Sequence, residues 1–294
     1  MASPRRVVLT GASSFFGRIL LPLLLNARFE VFATERRPRA DAGADGQGGH
    51  LNRVPLDVRR AGDFARLPRQ PDAVIHAAAV SSDGQVSVAE LAESNVTGTR
   101  NVIDYAAGSG AGQIIFVSSI LVHGLVCDHE LTAETAIHNP GPYGMSKRLG
   151  EMMLAERAGE IASISLRVPG ILGPGAERHW LATVQDRARR GEDIDIYNSD
   201  GPFNNAVDAL SLGGFIADLA AAPRSGAAVV PLGSAGATTV RAAAAAIIEE
   251  TSSRSRLRVQ DAPRPAYLIN NEAALALGYR PLDIDAAIRN FARN

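Results

Sequence analysis

Six short runs of apolar, often β-branched residues recur along the chain: "RRVVLT" (5–10), "FEVFAT" (29–34), "AVIHAA" (73–78), "QIIFVSS" (113–119), "ISLRV" (164–168) and "AAVVPL" (227–232). Between several of them, apolar positions return at helical spacing over Gly17–Ala27, Val86–Ala107 and Tyr143–Ala158. Strands alternating with helices of this length predict an α/β fold with a mostly parallel, doubly wound sheet. The stretch "RADAGADGQGG" (39–49) reads as a surface loop. After "PGILGPG" (169–175) the alternation is lost. A helix over Trp180–Arg190, a turn-rich stretch over Asn198–Asn205, an Ala-rich helix over Val240–Thr251 and a basic, solvated connector over Ser252–Arg258 are predicted there. The expected division is a nucleotide-binding domain over residues 1–168, with 203–233 returning to it, and a smaller C-terminal substrate lobe over 169–202 and 234–294.

Composition narrows the setting. With 46% hydrophobic and 21% charged residues and a net charge of -1, the chain has no electrostatic bias toward nucleic acid or a membrane surface. No apolar stretch reaches the ~18 residues of a spanning helix, and "MASPRRVV" enters the first strand without a signal-like segment. A cytoplasmic protein is expected. The single cysteine, Cys127, has no internal disulfide partner and is expected to be a buried or half-buried thiol. No metal-ligand spacing is visible in the sequence.

The chemistry starts at "TGASSFFG" (10–17), directly after the first strand. A glycine turn between strand and helix brings backbone N–H groups and the helix dipole to a pyrophosphate. Gly11 and Gly17 take the first and third glycine roles, and Ser14 stands at the second, with a hydroxyl able to donate to a phosphate oxygen. Glu35, at the end of the second strand, fits the adenosine ribose hydroxyls of NAD, whereas Arg36 and Arg37 fit the 2′-phosphate of NADP. Asp57 lies where a third strand would end, against the adenine amino group. Further on, "PYGMSK" sets Tyr143 and Lys147 at i, i+4 on one helix face, where an ammonium lowers the phenol pKa and makes it an acid/base group. Ser119 ends a strand 24 residues before Tyr143. His76, His123 and Trp180 read as packing residues.

Taken in order, "TGASSFFG", Asp57-Val58, "VIHAAA" (74–79), "NVTGTRNV" (95–102), "FVSSILVHG" (116–124), "PYGMSK" (142–147) and "LRVPGILGPG" (166–175) resemble the extended short-chain dehydrogenases/reductases of the epimerase/dehydratase type. The likeness implies a Rossmann-type sheet and a catalytic triad of Ser119, Tyr143 and Lys147. It also implies cofactor contacts at Gly11, Ser13, Ser14, Phe15, Phe16, Gly17, Glu35, Arg36, Asp57 and Val58. Ala77, Ala78, Ala79, Asn95, Ser118, Tyr143, Lys147, Pro169 and Ile171 complete that set. Substrate contacts are expected at Ser81, Ser119, Gly170, Arg178 and Asn204, with Asn205 beside them.

The implied activity is NAD(P)-dependent hydride transfer at a hydroxyl or ketone carbon of a sugar or nucleotide-sugar, with NAD as cofactor and NADP the alternative. A small-molecule substrate and a homodimer paired through helices 86–107 and 143–158 are expected. Two departures weaken a UDP-sugar grip: Gly170 stands where relatives often carry Asn, and Gly201 where they carry Arg, seven residues before Asp208. Ile120-Leu121 after the serine lacks the acidic pair of a 4,6-dehydratase. A reductase of a non-sugar carbonyl compound, and an NAD(P)-binding sensor without turnover, are the alternative readings.

Overall fold

The computed structural model describes residues 5–36, 49–81, 86–222, 224–260 and 266–294. Arg37, and residues 39–48 of the expected surface loop, lie outside these. The chain divides into two compact units: residues 1–122, 140–167 and 213–230 form one, and 123–139, 168–212 and 231–294 the other.

The first unit is built on a seven-stranded sheet. β1 (Arg6–Thr10) buries Val7, Val8 and Leu9 completely, as a central strand covered on both faces must. It pairs in parallel with β2 (Glu30–Glu35) on one side and β4 (Ala73–His76) on the other, and β3 (His50–Pro55) extends the sheet beyond β2. β5 (Gln113–Ser119) lies beside β4, followed by strands Ala162–Val168 and Ala227–Pro231. Strand order therefore reverses between β1 and β4, and a ligand crevice belongs outside the carboxyl ends of these strands.

Three helical segments position the chemistry. α1 (Phe15–Asn26) starts at Ser14, whose side chain accepts the Gly17 N–H at 3.0 Å, and buries Leu20, Leu21, Leu24 and Leu25. The stretch expected as one helix over 86–107 is instead α2 (Val88–Leu91), a π-helical turn (Ala92–Thr97) and α3 (Gly98–Ser109). The wide turn contains Asn95, whose side chain is committed to groups outside the helix. α4 (Pro142–Glu156) packs close to the sheet because two of its glycines leave room: a Cβ on Gly144 would sit 2.1 Å from the Leu121 carbonyl oxygen, and one on Gly150 2.8 Å from the Phe116 ring.

The second unit holds short parallel pairs, Gly170–Leu172 with Ala206–Asp208 and Ile194–Tyr197 with Leu257–Gln260. It also holds α5 (Trp180–Arg190) and the helices Val240–Glu250 and Ile284–Ala292, which Arg289 and Arg293 tie together through Glu250. Two expectations are corrected here. The connector 252–258 does keep Arg254, Arg256 and Arg258 exposed, but it is more than a linker: Ser253 donates to the Ala188 carbonyl at 2.6 Å, Ser255 is buried, and the segment runs into strand Leu257–Gln260. Cys127 is exposed, because Val126 beside it takes the buried place in that loop.

Candidate active site and dinucleotide pocket

The glycine loop after β1 is held by close approach. Gly11 has φ +75°, and a Cβ there would lie 2.7 Å from the Ala78 nitrogen, so β1 turns directly against the exit of β4. A Cβ on Gly17 would lie 2.1 Å from the Gly11 carbonyl oxygen, so the third glycine sets the contact of α1 with the loop. Ser14 caps the helix and so directs its hydroxyl to the mouth of α1.

A cavity of about 280 Å³ opens at this loop, lined by Gly11, Ser13, Ser14, Glu35, Arg36, Asp57, Val58, Ala78 and Ala79. Thr34, Leu56, Arg59, Val80 and Ser94 complete its wall and were not read from the sequence. Arg59 had a signal: it follows Asp57 by two residues, and its guanidinium grips both carboxylate oxygens at 2.6 to 3.1 Å. The Arg59 hydrogen bonds outweigh burial and hold the Asp57 carboxyl below its usual range. Glu35 is 5% exposed, pairs through Oε1 with Arg53 at 2.5 Å, and keeps Oε2 buried with no hydrogen-bond partner among the described residues. A cradle of glycines, a helix N-terminus and a buried carboxylate oxygen in need of a donor all fit the adenosine diphosphate half of a dinucleotide.

The residues expected to do chemistry stand at the end of β5 and on α4. Ser119 ends β5, is buried, and accepts the Leu121 N–H at 3.1 Å. The Gly144 contact sets the first turn of α4, with Tyr143, against the turn that follows Ser119. Lys147 is buried, donates to the Val117 carbonyl at 2.8 Å, and lies 4.8 Å from the Phe116 ring centroid and 5.9 Å from that of Tyr143. Burial pushes Lys147 down to about 7, opposed by the charge of Glu151 one turn along α4. Burial likewise pushes Tyr143 up to about 12, which corrects the expectation of a lowered phenol. Desolvation of the phenol outweighs the neighbouring amine, which is itself driven toward its neutral form.

Beneath them is a buried polar brace. Glu151 accepts from Ser118 at 2.7 Å and from Arg167 at 2.7 and 2.9 Å, and pairs with Arg148. Burial opposes ionisation of Glu151, but these donors prevail and hold it below the usual carboxylate range. The Ser118 hydroxyl is thus spent on the scaffold rather than offered to a cofactor, since alternation along β5 turns Ser118 and Ser119 to opposite faces. Asn95 exchanges hydrogen bonds with the Val80 backbone at 2.9 Å and donates to Ser146 at 3.1 Å, tying the exit of β4 to α4. His76 is buried between Thr10 and Thr99 at 2.7 and 2.9 Å, and burial pushes it down to about 3, as a packing residue requires.

The other expected residues divide. Phe16 is 5% exposed and belongs to the core, so its ring is not a cofactor contact; Phe15 is half-buried and outside the cavity wall. Ala77 and Gly17 back the wall through their backbones. Ser81 is half-buried, beyond the end of β4. In the second unit, Pro169 is buried, and Ile171 sits in the short strand Gly170–Leu172. The Asn204 amide is consumed by Ile269, accepting its N–H at 2.8 Å and donating to its carbonyl at 2.9 Å. Asn204 is a scaffold residue, not the substrate contact expected. Arg178 is exposed with φ 66°. His179 fills the space over Gly170, where a Cβ would lie 3.2 Å from its ring, and caps α5 by accepting the Ala182 N–H at 3.2 Å. Burial pushes His179 down to about 4.

Comparison with known proteins agrees with this geometry. The chain is 28% identical over 224 residues to a 3beta-hydroxysteroid-dehydrogenase/decarboxylase isoform of Arabidopsis thaliana, covering 69% of this chain and 38% of that protein. It is 28% identical over 161 residues to UDP-glucose 4-epimerase 4 of Oryza sativa subsp. japonica, covering 50% of this chain and 43% of that one. The chain thus spans less than half the length of either. Among solved structures, the UDP-glucose 4-epimerase of Thermus thermophilus in complex with NAD superposes with a TM-score of 0.78 at 21% identity, covering 98% of this chain and 97% of that one. A model of the NAD dependent epimerase/dehydratase family matches residues 7–206. The chain belongs to that family.

Proposed function

We propose that the protein is an NAD-dependent oxidoreductase or epimerase acting at a hydroxyl or ketone carbon of a sugar or nucleotide-sugar. The observation that carries this reading is the cavity at the Gly11 loop, lined by Glu35 and Asp57 and fitted to the adenosine diphosphate half of a dinucleotide, and the pair of Tyr143 and Lys147 on α4 supports it. NAD, held by the Gly11 loop, Glu35 and Asp57, would supply the hydride acceptor and donor. Tyr143 holds the proton exchanged with the substrate oxygen, and Ser119 orients that oxygen. Lys147 serves the nicotinamide ribose and supplies positive charge near the phenol when protonated. Burial, which pushes Tyr143 up to about 12, favours the protonated phenol, the form that donates to a carbonyl oxygen.

A second reading has two observations in its favour. His179 occupies the space over Gly170 and the Asn204 amide is committed to Ile269, which supports a reductase of a smaller, non-sugar carbonyl compound. Exposed Met145, Leu149 and Met152, at helical spacing on α4, support pairing of two copies through this helix. One experiment separates the activities: the purified protein is denatured, any released nucleotide is identified, and the intact protein is assayed against UDP-sugars and simple ketones. Retained NAD with UDP-sugar interconversion supports the epimerase. An empty protein that reduces ketones with NAD(P)H supports the second reading. Absence of both activities would overturn the enzyme reading, and light scattering at micromolar concentration reads the pairing.

A further inference from the structure

We propose that Arg53 is a positioning residue for the dinucleotide: it holds one oxygen of Glu35, aims the other at the adenosine ribose hydroxyls, and thereby selects a ribose without a 2′-phosphate. The proposal rests on the dinucleotide reading of the cavity and adds to it a residue on a strand outside the glycine loop.

The geometry starts with register. Arg53 in β3 stands opposite Ala33 in β2, and Glu35 lies two residues farther along the same face. The guanidinium runs along the strand past the small Ala33 to reach the carboxylate. Contact is made at one oxygen, Oε1, at 2.5 Å. The carboxylate is 5% exposed and its second oxygen is buried without a hydrogen-bond partner among the described residues. A buried charge is tolerated when its counter-ion is close, and a buried acceptor left unsatisfied is costly unless a donor arrives. A ribose hydroxyl is such a donor, and Glu35 lines the cavity that would receive it.

The same arrangement decides against a 2′-phosphate. A phosphate dianion at this position would face the Glu35 carboxylate, which the Arg53 contact holds in place. Arg36 lines the same cavity. With a small polar residue in place of Glu35, the charge of Arg53 would add to that of Arg36 in attracting a 2′-phosphate, converting the selecting pair into an accepting one. Arg53 thus sets the preference in both directions.

Calorimetric titration with NAD+ and NADP+ tests this on the full-length protein and on Arg53→Met, Arg53→Lys, Glu35→Ser and the Glu35→Ser/Arg53→Met double variant, with a thermal melt of each as a check on folding. The wild-type protein is expected to prefer NAD+. Arg53→Met is expected to lose about tenfold or more of NAD+ affinity and most of that preference, with Arg53→Lys intermediate. Glu35→Ser is expected to gain NADP+ affinity about tenfold, and the double variant to lose that gain. An unchanged NAD+/NADP+ ratio in Arg53→Met, or a double variant that binds NADP+ as well as Glu35→Ser, overturns the role of Arg53 and leaves the dinucleotide reading standing. A wild-type protein that binds neither nucleotide overturns both. If Arg53→Met does not fold, the comparison of Glu35→Ser with Arg53→Lys and the double variant still decides.

Discussion

Tyr143 and Lys147 show how far residue types and spacing carry an argument. Their i, i+4 separation was enough to place them on one helix face, and the structure sets the lysine 5.9 Å from the Tyr143 ring centroid. Their ionisation was not legible, because it depends on burial that spacing does not report; both groups are pushed toward their neutral forms. The resulting prediction concerns one atom. Tyr143→Phe removes only the hydroxyl, and turnover is expected to fall by about a thousandfold with dinucleotide affinity kept within a few fold. Normal turnover in that variant would remove Tyr143 from the chemistry. Arg53 was illegible for a different reason. Its partner Glu35 lies on the neighbouring strand, and no local pattern in "HLNRVP" announces a contact made across the sheet.

Among elements, β1, α1 and the loop between them were legible, since buried β-branched residues, a capping serine and two glycines each constrain the backbone locally. The π-helical turn at Ala92–Thr97 was not, because a helical hydrophobic period does not reveal one extra residue per turn. Close packing was equally hidden. Gly144 looks like a weak helix former, yet its missing side chain lets the first turn of α4 meet the Leu121 carbonyl. Gly144→Ala should therefore displace Tyr143 relative to Ser119 and cost about a hundredfold in turnover while α4 remains helical. Gly150→Ala presses on the Phe116 ring farther down the helix, and its effect belongs to the melting temperature. Equal turnover losses in the two variants would show that the Leu121 contact has no special bearing on the site.

For the whole molecule, the middle of the sheet followed from runs buried on both faces, as in β1, β4 and β5, which only a parallel sheet with helices on each side satisfies, whereas the half-exposed edge strand β3 left no such run. The second unit was much less legible because its strands are short: pairs of two residues, such as Pro202–Phe203 with Thr238–Thr239, leave no periodicity to read. Its polar side chains were misjudged for a related reason. A buried asparagine that serves a backbone, as Asn204 does, has the same sequence signature as one that serves a ligand.

The neutral imidazoles buried in each unit make folding and proton binding one equilibrium. His76 titrates at about 3 and His179 at about 4, both below the 6.5 of an unfolded histidine, so the unfolded chain holds more protons throughout that interval. Their contribution is complete above pH 6.5 and is lost as the pH falls toward 4. His179 alone accounts for a loss on the order of 3 kcal/mol across that range. Urea unfolding from pH 7 to pH 4.5 should show the decline, with a shallower slope in His179→Ser, where a serine keeps the helix cap but cannot take up a proton. An unaltered slope would mean that the ring over Gly170 carries none of the acid sensitivity. Mild acid, on this account, enters the fold as a ligand of its unfolded state.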